Sequence, residues 1–565
     1  MVVPAGNGAA IACGHEVTAG AAASALQAGG NAFDAIVAGI CAACVAEPVL
    51  CSLAGGGYLL ARRGEAEPVV YDFFVDTPLE RRGAESLDLY PIEVDFGDVT
   101  QEFHIGLGSV ASPGVLAGLF EIHRELCRLP LEELVRPAVA AARDGVIVNP
   151  LQAYIFEICG PIYIATPEAR SIYGKGGVSL PRDGELFRQP ALADTLEVLA
   201  RTGPGLLYGG ELGRRLVAAC AAGGGQLTLA DLEHYAVVKR RPLARDYHLA
   251  RVYTNPPPSR GGILIAFALA LLDGLPATGR ARWLPGLAAA MRLANLARAE
   301  DDGRLLDRNL LERYRAELSG RPACDRGTTH ISVADGKGNL AAASLSNGEG
   351  CGHLLPGTGI MLNNMLGEED LNPGGFQRWA PGTRMASMMA PTLVEHGGTQ
   401  AVLGSGGSNR IRSAILQVIA NLVDFGMAPE EAVAAPRIHV EGDLLSIEGG
   451  FTDEEREALA STGLQTDHWK DRNLFFGGVH IVRQGNAGLT AFGRSAAWGR
   501  RTVPVLARRM TGLNRGPGLF TVQERRRPAS TGRCRRRCAS ARRRHGGRSV
   551  RSVRCLGSPR RCPPA

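Results

Sequence analysis

The stretch Gly327-Thr328-Thr329-His330-Ile331-Ser332-Val333-Ala334-Asp335 places a glycine before two threonines at a strand entrance, then alternates polar and apolar residues. Asp335-Gly336-Lys337-Gly338 reads as a turn, and Asn339 to Ser346 as the returning strand of a hairpin. A glycine ahead of a threonine permits the strained backbone through which a hydroxyl attacks the preceding carbonyl. Cleavage there frees the α-amine of Thr328, whose pKa of about 7.7–8.0 suits a general base near neutral pH. One residue then supplies both nucleophile and base, and no separate His–Asp pair is needed.

Downstream of this hairpin, Ala401 to Leu403 reads as a short strand, Gly404-Ser-Gly-Gly-Ser408 as a tight loop and Ile411 to Phe425 as an amphipathic helix. A glycine-rich loop between strand and helix aims backbone donors and a helix N-terminus at one spot. A phosphate cradle built on the same loop lacks its lysine. Upstream, residues 18–46 read as one or two buried helices, broken by the run Gly55-Gly-Gly57. Tyr58–Arg62 and Val69–Val75 read as strands, 109–145 as helical after Ser112-Pro113-Gly114, and 185–240 as helices ending in a strand. Helices and strands succeed one another in the manner of an α/β stack. A polar arm spans 316–327.

The 565 residues suffice for several domains or one large layered enzyme, and the mix of 45% hydrophobic and 21% charged residues is that of a globular body. The net charge of +6 conceals two unlike regions. Residues 514–565 hold 16 Arg and one Glu, a charge of +15, which leaves −9 for the remainder. An acidic body gives no electrostatic reason to bind nucleic acid. The arginine-rich stretch cannot bury a core, and 508–565 reads as a disordered tail. The N-terminal stretch has neither a basic segment nor a continuous apolar one, and no apolar run is long enough to span a bilayer, so a cytoplasmic location is expected. Thirteen cysteines at irregular spacing read as reduced thiols, Cys41 and Cys44 among them as buried structural ones. No metal or organic cofactor is called for.

The hairpin stretch, together with Gly357-Thr-Gly-Ile-Met-Leu-Asn-Asn364, resembles the small subunit of γ-glutamyltranspeptidases. Gly29-Gly-Asn-Ala-Phe-Asp34, Glu47-Pro48, the glycines 55–57, Ser112-Pro-Gly-Val-Leu-Ala-Gly118, Leu134-Val-Arg-Pro-Ala138 and Pro256-Pro-Pro-Ser-Arg-Gly-Gly262 resemble the large subunit. The likeness runs in order from about residue 10 to about 507.

The resemblance implies a four-layer αββα sandwich and self-cleavage before Thr328, into a large fragment (residues 1–327) and a small fragment (residues 328–507). It further implies that Thr328 is the nucleophile, that Ser346 stands where a second threonine supports it, and that Gly406 and Gly407 form the oxyanion hole. Asn347 matches an asparagine that holds the amino-acid end of the substrate. Asp370, or else Glu369, matches the aspartate that binds the α-amino group. Ser387 matches the first of two serines on the α-carboxylate, the second being Met388 here. The expected reaction is acyl transfer from a small amide, γ-glutamyl in type, to water or an amine, by two self-associated fragments.

One departure bears on the acyl group. The family carries an arginine that clamps the α-carboxylate, and Phe74 occupies its place in Tyr71-Asp-Phe-Phe-Val-Asp-Thr-Pro78. A neutral ring cannot make a bidentate carboxylate contact. Two other readings therefore stand: an acylase of non-glutamyl amides on the same fold, and an unprocessed relative that only binds ligands or partners. Arg384, close in sequence to Ser387, is the first candidate for a substitute cation.

Overall fold

The computed structural model describes residues 2–5, 8–95, 100–174, 179–275, 279–297, 305–306, 328–372, 374–486 and 488–494. The polar arm 316–327, with Gly327, and the arginine-rich tail 508–565 lie outside the described residues.

Two antiparallel sheets form the body. The first runs Val2–Ala5, Ala9–Cys13, Thr329–Ala334, Leu340–Ser346, Gly56–Arg62, Val69–Phe73, Val238–Arg240. The second runs Leu243–Tyr247, Ala250–Thr254, Thr392–His396, Thr399–Gly406, Gly478–Gly485, Gly488–Gly493. Thr329–Ala334 lies centrally in the first, with Ile331 opposite Cys13 on one side and Ala343 on the other. The hairpin that begins at Thr328 is thus flanked on both sides by strands from the first 62 residues. Sequence order and sheet order diverge, and cutting the chain before Thr328 would leave the ladder intact.

The small residues of these strands let the sheets stack closely. Ile331 and Val333 pack with helices Glu16–Gln27 and Ala32–Ala46, whereas Ala10, Ala12, Leu60, Ala334 and Ala342 pack with Val394, Val402, Leu403 and Ile481 of the second sheet. Helices Arg260–Leu272 and Arg410–Val423 cover the second sheet. The 109–145 region is two helices, Val115–Leu126 and Leu131–Asp144, parted at Pro130.

The alternation in Thr329–Ala334 would suit a half-exposed strand, yet all six residues are buried. Its polar face is turned into the sheet–sheet space and is satisfied there. His330 Nδ1 lies 2.7 Å from Ser344 Oγ, and Nε2 lies 3.0 Å from Ser332 Oγ. The run Gly404–Ser408 also departs from the loop expected of it. Gly404, Ser405 and Gly406 are still strand, paired with His480, Val479 and Gly478, and the turn begins only at Gly407 (φ 111°). Position 404 needs a glycine for a steric reason, since a side chain there would overlap the His330 ring.

Two of the sequence motifs build the scaffold. Asn31 caps Ala32–Ala46, accepting from Phe33 and Asp34 N–H, while Asp34 accepts from Asn31 N–H at 2.7 Å. Asp335 accepts from Lys337, Asn339 and, at 3.0 Å, the Ala32 N–H, fastening the hairpin turn to that helix.

Candidate active site

The central strand delivers Thr328, half-buried, to the end of the first sheet facing the Gly406–Gly407 turn. A side chain at Gly406 would overlap the Thr328 carbonyl oxygen, so only glycine allows this approach. Helix Arg410–Val423 starts immediately beyond, after Ser408 at φ 44°. Gly406 therefore lies against the threonine at the point where the strand gives way to the turn and the helix.

A cleft of about 30 Å³ is lined by Thr328, Ser346, Asp370, Ser387 and Ser408, with Glu368 and the apolar Phe74, Met365, Leu371, Met388, Met389 and Ile411. A broader depression of about 680 Å³ at the loops around His248 and His396 contains none of these residues. The chemistry is read at the smaller site because the candidate side chains converge there.

Ser346 ends its strand opposite Gly56, and its Oγ accepts from Gly348 N–H at 3.0 Å. Asn347 is fully buried at the following turn and is not part of the cleft lining. Asp370 accepts from Ser408 Oγ at 2.8 Å and from Asn409 Nδ2 at 3.2 Å, which ties it to the glycine turn. Ser387 Oγ accepts from Met389 N–H at 3.1 Å, and its carbonyl receives Arg260 N–H and Ser259 Oγ at the start of helix Arg260–Leu272. Glu369 does not join them. It is exposed, because a 3-10 turn over Glu369–Leu371 swings it outward and leaves Glu368 and Asp370 facing the cleft.

Phe74 is buried in the cleft wall, stacked on Tyr58 with centroids 5.6 Å apart. Arg384 cannot stand in for a missing cation. Its Nη1 donates to Asp72 Oδ1 (2.7 Å), its Nε to Asp76 Oδ1 (2.5 Å) and its Nη2 to the Ala236 carbonyl (2.7 Å). The guanidinium is consumed by two carboxylates flanking Phe74 in sequence, and it lies outside the cleft lining.

One residue at the site escaped functional reading of the sequence. Glu47, noted only within Glu47-Pro48, is buried and accepts from Thr329 Oγ1 and Thr18 Oγ1, each at 2.9 Å. Burial pushes its carboxyl above the ordinary range, and the two hydroxyl donors partly oppose that. His330 is held neutral by burial, its pKa lowered to about 3. Among the described residues no group of three His, Cys, Asp or Glu is arranged to hold a metal ion, and no helix is long and apolar enough to cross a membrane. The eight described cysteines are all free thiols.

The family described as gamma-glutamyltranspeptidase matches residues 18–501. The chain belongs to the γ-glutamyltranspeptidase family. It is an enzyme, a hydrolase of the N-terminal-nucleophile class. Within and around the γ-glutamyltranspeptidases, it is 33% identical over 492 residues to the acylase ACY 1 proenzyme of Pseudomonas sp. (strain V22), covering 81% of this chain and 87% of that one. It is 30% identical to the glutathione hydrolase proenzyme of Escherichia coli (strain K12), over 78% of this chain and 82% of that one. The mixed α/β fold matches the crystal structure of a cephalosporin acylase from Bacillus halodurans with a TM-score of 0.76 and 26% identity, over 89% of this chain and 97% of that one.

Proposed function

We propose that this γ-glutamyltranspeptidase-family chain cuts itself before Thr328 and uses the freed threonine to transfer acyl groups from small γ-glutamyl-type amides to water or an amine. The observation that carries this reading is the contact between the Thr328 carbonyl and Gly406 at the mouth of a strand–turn–helix. In the proposed mechanism the α-amine of Thr328 takes the proton from its own Oγ, and Oγ attacks the amide carbonyl. The N–H groups of Gly406 and Gly407 meet the developing oxyanion, and the ammonium returns the proton to the leaving amine. Water or an amine then attacks the acyl-enzyme by the reverse path.

The proposed supporting roles fall to cleft residues and to the buried Asn347, which follows Ser346 in the chain. Ser346 steadies the nucleophile, Asn347 and Ser387 hold the amino-acid end of the substrate, and Asp370 faces the amino group. The body folds as a four-layer αββα sandwich built from a large fragment (residues 1–327) and a small fragment (residues 328–507), and 508–565 has no role in catalysis. The interleaving of strands from both fragments in one sheet supports their lasting association after cleavage.

Phe74 favours a second reading for the acyl group. With a buried ring where a guanidinium is expected, and Arg384 spent on Asp72 and Asp76, the cleft also suits acyl groups without an α-carboxylate. The chain then acts as an acylase, in keeping with the names of its acylase relatives. Intact mass and N-terminal sequencing of purified protein test the shared core: two fragments, the smaller starting at Thr328, are expected. A chain that stays whole and turns over no amide would leave only a binding role.

A further inference from the structure

A buried arginine stands behind the glycine turn. Arg437, at the entry to strand Ile438–Glu441, is 1% exposed. Its guanidinium donates to three backbone carbonyls: Phe476 at 3.2 Å, Gly477 at 2.5 Å and Val433 at 2.9 Å. Glu448 bonds its backbone N–H at 3.0 Å and pairs with Arg494. Burying a guanidinium is costly, and only its planar fork can reach carbonyls on two separate segments at once.

Two of those carbonyls belong to the segment that braces the site. Gly477 adopts φ 78°, and a Cβ there would lie 2.8 Å from Ser405 Oγ and 3.0 Å from the Ala414 side chain. The next residue, Gly478, pairs with Gly406 across the ladder, and a Cβ on Gly407 would lie 3.5 Å from Gly477 Cα. Gly406 in turn abuts the Thr328 carbonyl. Guanidinium, Gly477, the Gly406–Gly407 turn and Thr328 form one continuous stack.

We infer that Arg437 is a positioning residue for the oxyanion donors: by gripping the Phe476 and Gly477 carbonyls it fixes the backbone on which Gly406 and Gly407 are set. The inference rests on the proposed function, in which those two glycines meet the oxyanion. Such donors act on charge that exists only in the transition state, so misplacing them lowers kcat and leaves substrate affinity nearly untouched.

The test uses the full chain, with activity on a γ-glutamyl anilide and on a matched anilide lacking the α-carboxylate, each normalised to the cleaved fraction. Arg437→Lys keeps the charge and loses the fork, Arg437→Met loses both, and Gly477→Ala disturbs the braced segment directly. Arg437→Lys should lower kcat ~10-fold or more with KM within about twofold of wild type. Combining it with Gly477→Ala should lower kcat no further than the worse single change, since both act through one contact. A folded Arg437→Lys protein with wild-type kcat, a change confined to KM, or multiplicative losses in the double variant would each overturn the inference. If Arg437→Met fails to fold, the other two variants decide. Wild-type turnover is measured first: its absence overturns the proposed function and this inference with it, whereas an active wild type beside an unaffected Arg437→Lys overturns this inference alone.

Discussion

Glu47 accepts a hydrogen bond from Thr329 Oγ1 at 2.9 Å, one residue past the proposed nucleophile, while its other oxygen receives Thr18 Oγ1 at the same distance. One buried carboxyl thereby joins the first helix, the end of the second and the central strand. The fit is tight, since a Cβ at Gly14 would lie 2.7 Å from Glu47 Oε2.

Glu47→Ala leaves two buried hydroxyls without their acceptor, at ~1–3 kcal/mol each, so a loss of ~2–6 kcal/mol is expected in urea denaturation. Glu47→Gln tests the titration. Burial raises the native pKa, so as the pH climbs past about 4.3 the unfolded chain releases its proton before the native state does. Raising the pH therefore favours the unfolded wild type and leaves the glutamine variant indifferent. The difference in melting temperature, variant minus wild type, should grow as the pH rises above about 4. A difference flat in pH would mean that the Glu47 carboxyl is not raised.

Thr328→Ala should remain one uncut chain and lose amidase activity by ~10³-fold or more, since nucleophile and base vanish together. Gly406→Ala should also block or slow cutting by ~10²-fold, because its methyl would displace the Thr328 carbonyl. Gly20→Ala is the control: nothing lies within 4 Å of a Cβ there, on the first helix, and cutting should proceed as in wild type. Time courses on denaturing gels read all three.

Phe74→Arg should raise the ratio of kcat/KM for γ-glutamyl over carboxylate-free anilides at least ~10-fold, a fraction of the ~2–5 kcal/mol typical of a buried charged pair. Arg384→Lys should leave that ratio unchanged, because the guanidinium is bound to Asp72 and Asp76 outside the cleft. A panel of matched anilides measures both. A wild type that already prefers γ-glutamyl donors would show that carboxylate recognition does not need an arginine at position 74.

Acid should unfold the protein through its buried histidines. Burial lowers His330 to about 3 and His15 and His439 to about 4, against an ordinary value of 6.5. Below that ordinary value the unfolded chain takes up protons that the native state refuses, so stability falls with pH. His15 shows the structural reason, since its Nδ1 caps the first helix by accepting from Val17 N–H at 3.1 Å, which an imidazolium cannot do. Each histidine contributes up to ~1.4 kcal/mol per pH unit, more together than the opposite trend of Glu47. Melts between pH 7 and 4 should fall steeply, and His330→Gln should flatten the slope.

The features legible in the sequence are those that a few adjacent residues decide. The hairpin after Thr328, the helix start after Ser112–Gly114 and the glycine turn before helix Arg410–Val423 follow from local backbone preference, and the replacement at Phe74 from the resemblance of one short motif to the family's. What tertiary structure alone decided spans hundreds of residues. Glu47 meets Thr329 across 282 positions, and Arg384 is drawn to Asp76 across 308 and so removed from the candidate cations. Glu369 was lost and Glu368 gained when a single 3-10 turn set which carboxylate faces inward. Gly404 continues its strand by pairing with His480, and a histidine from the other sheet fills the space a side chain there would need. Local propensity says how a segment can fold, but which polar groups are buried together, and whose charge is already spent, is settled only when the two sheets close on one another.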